Sequence, residues 1–402
     1  MLEQLFPVRH AQYQIGAAAP ILEEFAAWLI NAGYSRQSTQ GHVQRLKRVL
    51  ATARSVPQQW SSAKLDRAFL AVSGQSGPLR TTAKLFRQHL KARGQLATEE
   101  DHGPFADLLA RYEQHLVQMR GLAAHTVQKR LATAHDFLSR ELSGEAGLQG
   151  LSAEAVERYL VWIGPRLARR SLQQIVTHLR SFLRFCHDQG EISRRLDAID
   201  CPRIYRDESM PRALDWPLVE ALLSSVDRSD KTGWRDYMIL YLMAHLGLRP
   251  SEVVSLRLDS IDWQTATLRV EQRKTRSQLV LPLSETVSHV LRKYLCEGRR
   301  GDELPHLFLR ACCPQGPISA SEVGTIFASR VKRSGLPINT TAPYCLRHSF
   351  AMRLLERGVK IKTIGDLLGH RSLRSTCVYL RLDVEALRCV GLPLPRHDRC
   401  VA

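Results

Sequence analysis

Between Ile192 and Arg212 the apolar periodicity of the preceding sequence stops, and Pro202, Pro211, Arg194, Arg195, Arg203, Arg206 and Arg212 crowd a stretch poor in apolar residues. Proline removes a backbone donor and arginine resists burial, so no hydrophobic core runs through such a segment. The chain must therefore build separate cores on either side of a basic linker, 192–212. Its length of 402 residues agrees, since one core rarely organises so many.

Upstream of the linker the pattern is helical. Leu108, Leu109, Tyr112 and Leu116, then Val127, Leu131 and Phe137, then Val156, Leu160 and Ile163, then Leu172, Ile175, Leu179, Phe182, Leu183 and Cys186 fall at helical spacing, so Phe105 to Gly190 reads as a four-helix module. Its last helix interleaves Arg169, Arg170, His178, Arg180 and Arg184 with the apolar stripe, giving one face for a core and another for phosphates or for solvent. Residues 1–102 read as a helical extension. There Leu22, Phe25, Leu29 and Thr39 match Leu109, Tyr112, Leu116 and Thr126 at an offset of 87, which fits a duplicated helical unit or two ordinary hairpins.

After Arg212 the pattern changes. Helices are expected at Trp216 to Val226 and Tyr237 to Leu246, a small antiparallel sheet at Thr267 to Glu271 and Gln278 to Leu283, and further helices from Ser319. The expected fold is mainly α, with one mixed α+β domain at 213–384 and a tail at 385–402.

Lys and Arg number 57 against 39 Asp and Glu, a formal net charge of +18 at pI 9.9, and no single run holds the excess. A field of that sign attracts polyanions, of which nucleic acid is the commonest large one. Nine cysteines without CxxC pairs argue against a secreted disulfide framework and fit a reducing cytoplasm. No stretch approaches 18 uncharged apolar residues, so no membrane span is expected.

Chemistry concentrates in the last third of the chain. Pro343 opens a helix with the stripe Leu346, Phe350, Leu354 and Leu355, and Tyr344, Arg347 and His348 stand at i, i+3 and i+4 in its first turns, where the dipole favours a phosphate. A second helix carries Ile361, Ile364, Leu367 and Leu368 and ends at Gly369 and His370, and a polar turn leads to Tyr379. Far upstream, Arg249 precedes the first turn of another helix, with Glu252 placed to orient it or to serve as a first-turn acid. Taken singly, Arg249 reads as a surface arginine, His370 as a helix-end histidine and Tyr379 as a core aromatic. Cys345 and His348 alone make a poor zinc site.

Their order is more informative. Gly-Leu-Arg-Pro-Ser-Glu, Leu-Arg-His-Ser-Phe-Ala and Leu-Leu-Gly-His, with Tyr379 nine residues after His370, follow one another along the chain. In this the chain resembles the tyrosine recombinase, or phage integrase, family, in detail from Arg212 to about Asp383. The resemblance implies a tyrosine recombinase catalytic domain and makes 105–191 look like that family's core-binding, SAM-like domain. It implies that Arg249 and Arg347 hold a scissile phosphate, that Tyr379 is the nucleophile, that His370 fills the second histidine or tryptophan position, and that Lys274, eight residues before Pro282, is the catalytic lysine. One position departs, because the family usually has histidine where Tyr344 stands. Arg203, Arg206 and Arg276 join the arginines of the helical module as expected DNA contacts.

The chemistry fits these residue types. Attack on a phosphodiester adds negative charge to the nonbridging oxygens, and guanidinium forks grip those oxygens more strongly as that charge develops. A phosphotyrosyl ester conserves the energy of the broken bond, so neither ATP, metal nor other cofactor is expected. The expected partner is a double-stranded recombination site, bound by a tetramer that includes this chain alone or related recombinases. Two alternatives stay open: a type IB topoisomerase, and an accessory DNA-binding relative with weakened catalysis.

Overall fold

Helices form where apolar residues recur at three- and four-residue spacing. After a single helical turn at Leu2–Leu5, they are in chain order α1 (Ala19–Asn31), α2 (Arg36–Thr52), α3 (Ser62–Leu70), α4 (Gly77–Ala92), α5 (Ala106–Gln114), α6 (Ala124–Glu141), α7 (Ala153–Ile163), α8 (Arg169–Asp188), α9 (Trp216–Ser224), α10 (Gly233–His245), α11 (Pro250–Ser255), α12 (Glu285–Lys293), α13 (Ala320–Ser334), α14 (Tyr344–Glu356) and α15 (Ile361–Leu367). Three strands, β1 (Ile261–Asp262), β2 (Thr267–Gln272) and β3 (Ser277–Pro282), form an antiparallel meander. This computed structural model describes every residue except 15, 17, 53–59, 73–76, 97–104, 143–146, 202–211, 273–276, 300–303, 312, 314 and 382–402. No helix among the described residues is long and apolar enough to cross a membrane.

The chain divides into two units. One comprises Ile15–Ala19 and Gln44–Glu208, the other Met1–Gln14, Pro20–Val43 and Ser209–Ala402. In the first, α5 to α8 enclose a core of Tyr112, Leu116, Phe137, Leu138, Tyr159, Leu179, Phe182 and Leu183. Buried aromatic hydroxyls need partners. Tyr112 donates to Ser181 Oγ at 3.0 Å and Tyr159 to Asp136 Oδ2 at 2.7 Å, so the core is oriented as well as filled.

The basic side of α8 is partly engaged within its own unit. Arg184 donates twice to Asp197 Oδ2, at 2.9 and 3.0 Å, and Arg180 donates to the Ile199 carbonyl. Asp197 also takes Arg195, and these two arginines hold its carboxyl down at about 2. The segment after α8 is thereby fastened to it. Arg184 still keeps 54% of its side chain exposed, and Arg169 and Arg170 are exposed at the start of the helix.

In the second unit α10 is apolar on every side, with Met238, Ile239, Leu240, Leu242, Met243 and Ala244 fully buried, so it runs through the core. Its one buried acid, Asp236, receives Arg330 of α13 at 2.7 and 3.0 Å on one oxygen and Arg235 at 2.8 Å on the other. Against the same core, β2 presents Leu268, Val270 and Gln272 on its buried face, as strand alternation requires. Its register with β3 pairs Thr267 with Pro282 and Gln272 with Ser277.

Removing one partner of a buried ion pair leaves the other charged and desolvated. Asp236→Ala should therefore destabilise the chain by about 3 kcal/mol in urea unfolding, and Asp236→Leu combined with Arg330→Met should recover most of that loss. A loss below about 1 kcal/mol would show that Asp230, 3.3 Å from Arg330, suffices to hold the guanidinium.

Candidate active site

Arg249 stands at the mouth of α11. Pro250 at the first helical position presets the backbone, and the Glu252 carboxylate turns back to accept from the Arg249 amide at 2.8 Å. The same carboxylate accepts from Arg249 Nη1 through its other oxygen, Oε1, at 2.5 Å. Its Oε2 also lies 3.7 Å from Nη1 of Arg347. One buried carboxylate thus holds two guanidiniums, and Glu252 is the arginine-orienting acid its position in the first turn suggested.

Arg347 sits in the first turn of α14 and is only 4% exposed. It donates to the carbonyl of Gly247 at 2.5 Å and to that of Leu368 at 2.7 Å, and its Nη2 lies 3.2 Å from His370 Nε2. Burial, and next the positive charge of Arg249, pull its pKa down to about 10, although Glu252 pushes the other way. Gly247 makes this approach possible. Its φ is +63°, and a Cβ there would lie 2.5 Å from Phe350 and 2.8 Å from Leu368, so any side chain would push the Arg249 turn away from α14 and α15.

His370 follows α15 and faces Arg347. A guanidinium only donates, so Nε2 of His370 is the acceptor, and Nδ1 carries the proton that it shares with Thr376 Oγ1 at 2.8 Å. Burial and then the neighbouring arginines lower the His370 pKa to about 4, which leaves the ring neutral at pH 7. The turn before it is fixed from the sheet. Gly369 has φ +60°, and a Cβ there would lie 2.0 Å from the side-chain amide of the buried Gln272, at the end of β2.

Tyr379 lies in a 3-10 turn, Cys377–Arg381, with its ring packed against Ala351, Ile364 and Leu368. It is 2% exposed, and its hydroxyl is 3.0 Å from Nδ1 of His348. Burial raises the phenol pKa, and the fields of Arg347 and Arg249 oppose that rise. The His348 pKa is lowered by burial and then by Arg347. Tyr344, by contrast, is 45% exposed at the start of α14, close enough to Arg347 to act on it electrostatically.

The structure therefore brings together Arg249, Arg347, His370 and Tyr379, with Tyr344 at the edge. Arg169, Arg170, Arg180 and Arg184 belong to the other unit. Lys274, Arg276, Arg203 and Arg206 lie outside the described residues, Lys274 and Arg276 falling between the paired Gln272 and Ser277. Two side chains that touch the site went unassigned in the sequence reading, His348 and Thr376. His348 stands inside the Leu-Arg-His-Ser-Phe-Ala motif itself, which was the available signal.

Residues 214–386 match the Phage integrase family. The integrase/recombinase-type protein y4rA of Sinorhizobium fredii is 33% identical over 393 residues, 94% of this chain and 95% of that one. The tyrosine recombinase XerD of Xanthomonas campestris is 31% identical over 313 residues, 73% of this chain and 91% of its own length. Among solved structures, the Tn1549 transposon integrase in complex with a circular intermediate DNA superposes with a TM-score of 0.55 at 18% identity, over 69% of this chain and 99% of that one. A lambda integrase dimer bound to a core site gives 0.54 at 20% identity, over 68% and 94%. These two share the fold. With a relative one-third identical along nearly the full length of both proteins, the chain belongs to the phage integrase, or tyrosine recombinase, family.

Proposed function

We propose that this chain is a site-specific DNA recombinase that cuts and rejoins strands through a 3′-phosphotyrosyl intermediate on Tyr379. The observation that carries this reading is the pairing of Arg249 and Arg347 on one buried carboxylate, with the Tyr379 hydroxyl inside their combined field. Such a pair is held ready for the nonbridging oxygens of a phosphodiester before any substrate arrives.

In this mechanism the phenolic oxygen attacks phosphorus, the bond to the 5′ oxygen breaks, and that oxygen takes a proton. Lys274 is the donor we assign to it. A second strand's 5′ hydroxyl then reverses the step, so the energy of the original bond is kept and neither ATP nor a metal is required. Neutral His370 braces Arg347. Because Tyr379 is almost fully buried, a phosphate reaches its hydroxyl only when the segment from Leu373 to Arg381 yields.

The substrate we propose is a duplex recombination site. Arg169, Arg170, Arg184 and the basic linker would lie along its phosphates, and four copies would act on two sites, with or without related recombinases. The resemblance to the integrase/recombinase y4rA over 95% of its length supports this reading, and we place the reaction on the DNA of a mobile element in the cytoplasm.

Three expectations test this reading. Tyr379→Phe should bind DNA like the wild type and form no covalent adduct with a nicked suicide duplex; a surviving adduct would remove Tyr379 from the mechanism. A wild-type chain that binds DNA without an adduct would be an accessory protein, and one that relaxes supercoils without site preference would be a topoisomerase.

Arg249→Ala should slow adduct formation by roughly 10²–10³ if its guanidinium acts as one oxyanion donor. A loss under about tenfold would reduce Arg249 to a partner of Glu252.

At Tyr344 the exposed phenol can donate one hydrogen bond to an incoming phosphate oxygen, and Tyr344→Phe should cost only about two- to tenfold in cleavage rate. Tyr344→His should be tolerated. A folded Tyr344→His chain without cleavage would show that this position is not equivalent to the family's histidine.

A further inference from the structure

The reaction needs a group to take the phenolic proton, and the described residues among those assigned from the sequence do not supply one. Arg249 and Arg347 only donate, His370 Nε2 already faces Arg347 with Nδ1 on Thr376, and Tyr344 is a poor proton acceptor at neutral pH. Among the described residues, the side chain on the Tyr379 hydroxyl is His348, at 3.0 Å through Nδ1. We propose that His348 is the catalytic base that accepts the Tyr379 proton during strand cleavage and returns it during rejoining. This rests on the recombinase reading above.

In this role the phenol donates, which requires that Nδ1 of His348 carry the lone pair and Nε2 the hydrogen. The two ring centroids are 5.7 Å apart and the ring planes are tilted by 57°. The residue precedes Ser349 on α14, whose hydroxyl donates to the Leu214 carbonyl at 2.7 Å while accepting from the Leu214 amide at 2.7 Å, so the helix backbone at this point is fixed.

The step balances without any outside reagent. As the phenolic oxygen bonds to phosphorus its O–H bond breaks and the proton passes to Nδ1, while the P–O5′ bond breaks and its electron pair leaves with the 5′ oxygen. Charged and titratable groups around His348 are Arg347 on its own helix, Tyr379 on the terminal segment, His370 after α15 and, beyond Arg347, Arg249 before α11. Burial, and next the charge of Arg347, disfavour a protonated imidazole before substrate binds, so the ring is available as a base at neutral pH. Transfer occurs only as the new bond forms and the phenol becomes acidic.

The test uses the full chain and a nicked duplex with randomised flanks and a 5′-bridging phosphorothiolate, whose leaving sulfur needs no protonation. Duplexes that the wild-type chain captures covalently supply the substrate for rate measurements from pH 6 to 9. Wild-type capture should rise as His348 loses its proton and then level off near neutrality. His348→Asn keeps a hydrogen-bond acceptor but no base, and His348→Phe keeps neither. Both should be slower by about 10² at pH 7 and should gain about tenfold per pH unit up to pH 9, because hydroxide or pre-formed tyrosinate must substitute. If the role were merely structural, both variants would keep the shape of the wild-type profile at a lower rate, which would overturn the proposal. Two variants of different shape keep the test open should one fail to fold. An unchanged profile, or faster capture, would overturn the proposal and leave the recombinase reading standing. If the wild-type chain captures no duplex at all, both fall.

Discussion

Glu252 is the constraint on which the site depends. Two guanidiniums repel one another, and burying both without a counter-charge would be prohibitive. One carboxylate, 3% exposed, takes Arg249 on one oxygen and lies 3.7 Å from Arg347 on the other. Its geometry follows from local sequence: proline at the first helical position, glutamate at the third, and an arginine cap whose amide the glutamate closes upon. A device common at helix starts is here also the clamp that joins the two arginines of the candidate site.

Around that clamp the elements are held by backbone approach as much as by side chains. Arg347 joins the carbonyl before α11 to the carbonyl at the end of α15, so three segments far apart in sequence converge on one guanidinium. Gly247 allows the first of these contacts, and Gly369 lets Gln272 carry the end of the β2–β3 hairpin to the His370 turn. A substitution at either glycine would act on the candidate site through displacement, with no change in any of its polar groups.

This explains which parts of the molecule were legible in sequence. Helices α5 to α8 and the two long strands follow from apolar spacing, which is a local property. Arg249, Arg347, His370 and Tyr379 stood out because their order and separations repeat a family pattern, and Glu252 because first-turn acids obey a local rule. Thr376 did not stand out, and His348 did so only as part of a phosphate-favouring first turn with no role of its own, since each acquires its partner only when the terminal turn folds back across α14 and α15. Arg180 and Arg184 looked like uncommitted cations for the same reason. Their contacts with the 197–199 segment depend on how the chain returns along α8, which periodicity does not record.

The placement of the two histidines also bears on the charge of the site. Among the described residues the buried centre holds two arginines and one glutamate, with His348 and His370 neutral, and so carries a single positive charge at rest. An entering phosphodiester brings one negative charge and makes it neutral. Attack by a phenolate would add a second negative charge in a region where water is scarce, and losing the proton to solvent would leave that charge uncompensated among the described groups. Passing the proton to His348 keeps it within the site, beside the oxygen that gave it up, so the developing negative charge on phosphorus is matched by a cation one residue along the helix from Arg347. The lowered basicity of His348 at rest is then an advantage: the ring holds no proton before the phosphate arrives, and gains affinity for one as negative charge builds next to it.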